Sequence, residues 1–496
     1  MEKTYKLSRF LKSNAESMVL VLMFMILLLL VFCFSATASK SRTAKVVLKE
    51  LADTSVSAQI QQQLSNNRFE SALYFPVSVS GFYNANNFTP VWTKFQNGTG
   101  KGWEAMLMLD CVLQFGLLHE DYHPHELLYG TLHDMLEKPA SVSNYQKARF
   151  DILLTDAMIE FINNLHFGKL NPDYPTAKID ISNTNGFSAV TVLASALRQT
   201  DFMGTITAVQ PKAKEYVYLQ HYLRVAAGQD AQDCYALPEG VLKKIAVNME
   251  RLRWAAINND IYIHINIPSF TLKFHQPDTA YLFKVVVGKP NNPTPTLQSA
   301  IGYFTTAPEW KVPDKIFVKE ILPRALANID YLENNHYTIY NDRGGWIEPS
   351  RANLAVIKQN KSKYHATQSS GCDNALGLVV FRFPNIYEVY LHDTPEQQLF
   401  KKDVRDFSHG CIRVEQAEKL AGLVLKNDNS ADKIAAAHQA IVKRKTETFT
   451  LKKALPINVT YLTCEIDNGI LTIYPDIYDL DNRLEWALFG IPPAIL

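Results

Sequence analysis

Near residue 255 the chain changes its hydrophobic period, and that change confines it to a multi-domain α+β architecture. Residues 46–236 carry helical spacing. Trp103 to Phe115 and Ala148 to Leu165 repeat large apolar residues at that period, and Leu153, Leu154, Met158, Phe161 and Ile162 fit one helix face. Val241, Ile245, Met249 and Leu252 form a last such stripe. Ile261, Ile263, Ile265 and Ile267 then alternate with Tyr262, His264 and Asn266, which is strand spacing and predicts an apolar face with His264 outward from it. Strand-like runs recur at Thr271–Phe274, Tyr281–Val287, Leu376–Phe383, Glu388–His392 and Ile457–Ile473. Between them, about 313–365 reads as a partly helical, charged insertion. Glu415 to Leu425 and Asp432 to Val442 read as helices. The expected order is a helical domain over 46–236, a mainly-β domain over 240–475 and a C-terminal segment, 476–496.

The first 45 residues carry a different signal. Met18 to Phe34 is an unbroken apolar run, preceded by Lys3, Lys6, Arg9 and Lys12 and followed by Ala36-Thr37-Ala38. Its length suits a short membrane span or a long signal core. The expectation is a cytoplasmic tail (1–17), a membrane anchor or cleavable signal (18–34), a polar linker (35–45), and the remainder in the periplasm. Lys plus Arg is 50 against 49 Asp plus Glu, so nothing points to nucleic-acid binding, which needs a basic excess. The six cysteines are widely spaced and form no C-x-x-C pair, the wrong pattern for a disulfide framework or zinc ribbon.

One cysteine has a setting for chemistry. Phe407-Ser408-His409-Gly410-Cys411-Ile412-Arg413-Val414 places a thiol beside a histidine and a glycine. A thiol becomes a nucleophile as a thiolate, with a base or positive surroundings to hold it. Gly410 lets a carbonyl approach the backbone, where the N–H groups of Gly410 and Cys411 could form an oxyanion hole. Two histidines compete as base. His409 would share a face with Cys411 in an extended strand, and His392 shares a strand face with Tyr390. Ser408 either orients His409 or closes a turn. Arg405 and Arg413 flank the motif, and either could hold a substrate carboxylate or a fold-internal partner. His264, His275 and His336 read as surface or loop residues, Cys372 as a passive loop residue. The paired spacing of a metal site is missing, so no metal is expected.

These residues resemble the L,D-transpeptidase (YkuD-like) family. Its catalytic segment is a His, a gap of about fifteen residues, then Ser/Thr-His-Gly-Cys; here His392 is followed by residues 393–407 and then by Ser408-His409-Gly410-Cys411. The runs Asn248–Trp254, Asn266–Phe270, Val287–Pro290, Asn374–Gly377, Phe383–Asn385 and Tyr390–Pro395 are similar to the family's large multi-domain branch. Phe88–Thr93 and Leu154–Ala157 more weakly resemble its helical scaffold domain. Two departures are Arg413, where small members often carry Asn, and the want of a separate peptidoglycan-binding module between Gly228 and Gly240.

The resemblance implies a β-sandwich-like catalytic domain with a capping insertion. It implies that Cys411 is the nucleophile, His392 the base, and the Asp393 carbonyl the group that orients His392. His409 and Gly410 would shape the oxyanion hole and Tyr390 would contact substrate. The implied reaction is acyl transfer on peptidoglycan stem peptides: Cys411 displaces D-Ala from a tetrapeptide stem, and an amine of another stem resolves the thioester. No metal or organic cofactor is implied. The rival expectations are an L,D-carboxypeptidase, with water as acceptor, and a non-catalytic wall-binding scaffold.

Overall fold

The computed structural model describes residues 55–490 apart from 67–70, 93–99, 182–185, 230–239, 256, 258 and 468. The apolar run at 18–34 lies outside them. Among the described residues no helix is long and apolar enough to cross a membrane. The described residues form two compact units, one drawn from 55–109, 120–162 and 176–206, the other from 110–119, 163–175 and 207–490.

The first unit is helical. Its longest helix, Asn144–Phe167, belongs to this unit as far as Ile162 and buries nearly every side chain from Phe150 onward. Helices buried on all faces must satisfy their polar groups internally. Asp151 accepts from the backbone N–H groups of Val91 and Trp92 and from the Tyr83 hydroxyl (2.7 Å). Asp156 accepts from the N–H groups of Tyr74 and Phe75 and lies 2.7 Å from His123 Nε2. The Trp92 indole donates to Thr155 at 2.9 Å. The two weakly recognisable runs around Trp92 and Thr155 therefore meet at one buried network.

The second unit is strand-rich. Its strands are β1 (Tyr262–Asn266), β2 (Thr271–Gln276), β3 (Thr279–Gly288), β4 (Leu297–Thr306), β5 (Trp310–Lys311), β6 (Tyr337–Asn341), β7 (Trp346–Ile347), β8 (Tyr364–Gln368), β9 (Val379–Arg382), β10 (Leu391–His392), β11 (Asp406–Ser408), β12 (Ile412–Val414), β13 (Glu447–Thr460), β14 (Cys464–Asp467) and β15 (Ile470–Ile473). Nine of them form one sheet in the order β11-β3-β12-β10-β9-β4-β13-β1-β2, and β2 also pairs with β3. That second pairing closes the strands from β3 round to β2 on themselves, with β11 as an edge strand against β3. Its apolar side chains, among them Ile263, Ile265, Val285, Phe304, Phe381, Leu391 and Ile412, pack with the helices Ala417–Asn427 and Ile434–Val442.

The expected insertion folds around a separate four-stranded sheet, β5-β8-β6-β7, bounded by Trp310 and Gln368. It has its own core, with Phe317, Ile321, Leu322, Leu354 and Ile357 from its helices. Leu376 and the partly buried Tyr390 of the main domain join that core.

Residues assigned by period to other regions also belong to this unit. The helix Lys214–Gln229 clusters with the strands, and Asp481 of the helix Asp481–Phe489 pairs with Lys244 and Arg251. Arg253 is buried, with its guanidinium donating to Glu250, the Tyr216 hydroxyl and the Phe115 carbonyl.

One prediction fails on β1. His264 was expected to face outward, yet it is buried, to 1% exposure, and its face-mates Tyr262 and Asn266 are buried with it. The face opposite the isoleucines is covered: Asn266 donates to Glu465 and the Leu462 carbonyl, and Glu215 lies against His264. His275 is also mostly shielded, whereas His336 is exposed and bound to Asp373.

Candidate active site

The site is built where β10 meets β12. These strands run parallel, with Leu391 opposite Ile412 and His392 opposite Arg413, and the Ile412 N–H donates to the Tyr390 carbonyl. Leu391 and Ile412 point into the apolar core. Strand alternation therefore puts Tyr390, His392, Cys411 and Arg413 together on the opposite face. Two β-segments that are nineteen residues apart in sequence thus present one compact block of thiol, imidazole, phenol and guanidinium.

The turn before Cys411 is held by its own residues. Gly410 has φ of +115°, a region that side chains rarely adopt. Buried Ser408 donates to the Cys411 carbonyl (2.6 Å), and its hydroxyl accepts from the Gly410 N–H (3.1 Å). Of the two roles open for Ser408, the structure gives it the turn. The Gly410 N–H is thereby committed inside the loop, which alters the expectation that it points at substrate. Thr294 ties the loop to the sheet: its hydroxyl donates to the Gly410 carbonyl and accepts from the Gly288 N–H, both at 2.8 Å. Tyr478 closes the set, donating to the Gly288 carbonyl and accepting from the Thr294 N–H.

His409 does not share the Cys411 face. The reversal at Gly410 breaks the strand between Ser408 and Ile412, and His409 Nε2 instead lies 2.6 Å from Glu320 Oε1, on the insertion. His392 is buried, and its Nδ1 is 2.6 Å from the Asp393 carbonyl. That contact makes Nδ1 the N–H donor and leaves Nε2 with a lone pair. The Asp393 carboxylate is occupied elsewhere, accepting from the Leu378 N–H and Gln397. The Tyr390 ring lies 5.7 Å from the His392 ring, and the Arg382 guanidinium lies over it at 5.0 Å.

Electrostatics keep the resting pair neutral. Burial, reinforced by Arg413 and Arg382, lowers the His392 pKa to about 3 against the pull of the Asp393 carbonyl. Burial also raises the Cys411 thiol above its ordinary range, although Tyr390, Arg382 and Arg413 each favour the thiolate. A raised thiol and a depressed imidazole on one strand face disfavour a preformed thiolate–imidazolium pair.

The two arginines separate. Arg405 is 8% exposed and its guanidinium donates to the carbonyls of Val285, Phe270, Lys402 and Asp403. Four of its five N–H groups are committed to backbone carbonyls, so it holds the fold rather than offering a fork to a substrate carboxylate. Arg413 stays on the site face, paired with half-exposed Glu396. Cys372 and Cys111 are exposed and Cys464 is buried. Sequence reading missed Thr294, Tyr478, Arg382 and Glu320; all act through contacts that no local motif announces.

Comparison with known proteins agrees with this geometry. Residues 77–223 match the Scaffold domain family, and residues 260–436 match the family of the L,D-transpeptidase catalytic domain (YkuD). A Haemophilus influenzae protein named "Putative L,D-transpeptidase" is 26% identical over 366 residues, covering 71% of this chain and 70% of that protein. The chain therefore carries a Scaffold domain followed by an L,D-transpeptidase (YkuD) catalytic domain.

Proposed function

We propose that the protein is a peptidoglycan L,D-transpeptidase that works through a Cys411 thioester. The observation that carries this reading is the parallel register of β10 and β12, by which His392 and Cys411 share one face beside Tyr390 and Arg413. The Cys411 sulfur attacks the carbonyl of the third stem residue while His392 Nε2 takes the thiol proton. The carbon–nitrogen bond to D-Ala breaks, and His392 returns the proton to the leaving amine. The amine of a second stem then attacks the thioester, expelling the thiol and forming a link between third residues. The Cys411 N–H meets the developing oxyanion, with the Ser408–Gly410 turn fixing its direction. Tyr390 and Arg413 contact substrate. No cofactor takes part. The 18–34 run would export the chain and hold it at the inner membrane, leaving the catalytic unit in the periplasm.

The test is incubation of the purified protein with tetrapeptide muropeptides and analysis of products by mass spectrometry. Release of D-Ala with cross-linked dimer supports the transferase. Release of D-Ala with tripeptide alone makes it a carboxypeptidase, and no release leaves a wall-binding scaffold.

A further inference from the structure

Away from Cys411, three residues far apart in sequence meet under the outer face of β1. Glu215 comes from the first turn of the helix Lys214–Gln229, His264 from β1 and His275 from β2. Glu215 Oε1 lies 3.5 Å from His264 Nδ1 and 3.4 Å from His275 Nε2, and one ligand atom from each residue falls within 4.8 Å of the others. Glu215 and His264 are buried, and His275 closes the cluster toward solvent.

The hydrogen-bond directions are what make this cluster unusual. The Thr460 hydroxyl lies 3.3 Å from the Ile265 carbonyl, which can only accept, so Thr460 donates there. Its oxygen then accepts from His264 Nε2 at 2.8 Å. A neutral imidazole with its proton on Nε2 turns the Nδ1 lone pair toward the Glu215 carboxylate. His275 Nε2 is buried and makes no hydrogen bond among the described residues. A carboxylate, the His264 Nδ1 lone pair and the unpartnered His275 Nε2 therefore face one point. The 3.4 and 3.5 Å separations are long for hydrogen bonds. They match the edge of a tetrahedron of ligands at roughly 2.0–2.1 Å, which is about 3.3–3.4 Å. Outer contacts fix two of the three: Thr460 orients His264, and the Tyr262 hydroxyl, whose ring stacks on His275 at 4.5 Å, donates to Glu215 Oε2.

We propose that Glu215, His264 and His275 bind one divalent transition-metal ion, with zinc the best fit to two imidazoles and a carboxylate. Water completes the coordination at the solvent side. The ion ties the helix Lys214–Gln229 to the strands β1 and β2, a structural role independent of acyl transfer at Cys411.

The experiment is zinc titration of the full-length protein after chelator treatment and dialysis, read by elemental analysis and by thermal melting. One zinc per chain is expected, with Tm rising as zinc is added. The C411A variant should bind the same amount, while H275A and E215Q lose stoichiometric binding and the zinc-dependent rise in Tm. Cobalt(II) in the unmutated protein should give weak ligand-field bands without a thiolate charge-transfer band, a result that does not depend on any variant folding. Failure of the unmutated protein to retain zinc would overturn the proposal and leave a metal-free His264–Glu215 contact. Full zinc retention in H275A, or a thiolate band with cobalt, would overturn it equally.

Discussion

The Nδ1 atom of His392 sits 2.6 Å from the carbonyl oxygen of Asp393, the residue that follows it. A backbone acceptor cannot titrate or rotate away, so it holds one tautomer of the ring at every working pH. The rest of the surroundings are hostile to the imidazolium, and the pKa falls to about 3.

Stability should record that depression. Between the ordinary histidine value of about 6.5 and a folded value of about 3, the unfolded chain binds a proton at this position that the folded chain refuses. His392 therefore contributes stability above the upper value and loses it as pH falls. The expected slope approaches about 1.4 kcal/mol per pH unit within the window. Urea denaturation of the unmutated protein and H392N across this range checks it: the pH dependence should be shallower in H392N.

Alkylation of Cys411 should report the raised thiol. With burial outweighing the nearby guanidinium groups, iodoacetamide reactivity should climb through a value above the ordinary thiol range of about 8.5, with no step between pH 6 and 7. Removing Arg413 in R413M takes away a charge that favours the thiolate, so the profile should move to still higher pH. Mass mapping of the modified peptide separates Cys411 from the exposed Cys372 and Cys111.

Thr294 should behave as a positioning residue. T294V leaves the buried Gly410 carbonyl and Gly288 N–H without their shared partner, at a cost of about 1–3 kcal/mol. The loop that carries Cys411 loosens with it. Denaturation should show the stability loss, and turnover should fall more than substrate affinity. S408A, which frees the Gly410 N–H inside the same turn, should act in the same direction.

Glu320 and His409 join the insertion to the loop that carries Cys411 at a partly exposed contact. Exposed ion pairs contribute little, so E320Q should change stability by less than about 1 kcal/mol. Hydrogen exchange of residues 317–321 and 408–411 should nevertheless accelerate together, because each segment loses the same tether.

Much of this was legible in the sequence. Period alone separated the helical domain from the strands, and a two-residue repeat placed Tyr390 and His392 on one face. What local pattern cannot carry is pairing at a distance. The contact between Thr294 and Gly410 spans 116 residues and the one between Tyr478 and Gly288 spans 190. The parallel register of β10 on β12 is likewise invisible, so spacing alone left His409 level with His392 as partner to the thiol. His264 was misread because alternation says which residues share a face and not whether that face is covered. Arg405 and Arg413 look equivalent beside the motif; only the carbonyls around Arg405 distinguish them.

Intact-protein mass spectrometry of the full-length chain with excess tetrapeptide stem tests the catalytic assignment most directly. The expected result is a covalent adduct of the stem less D-Ala, mapped to Cys411, absent in C411A, and forming at least a hundredfold more slowly in H392A, as loss of a general base requires. D-Ala release by C411A at the unmutated rate, or an adduct on any other residue, would contradict it.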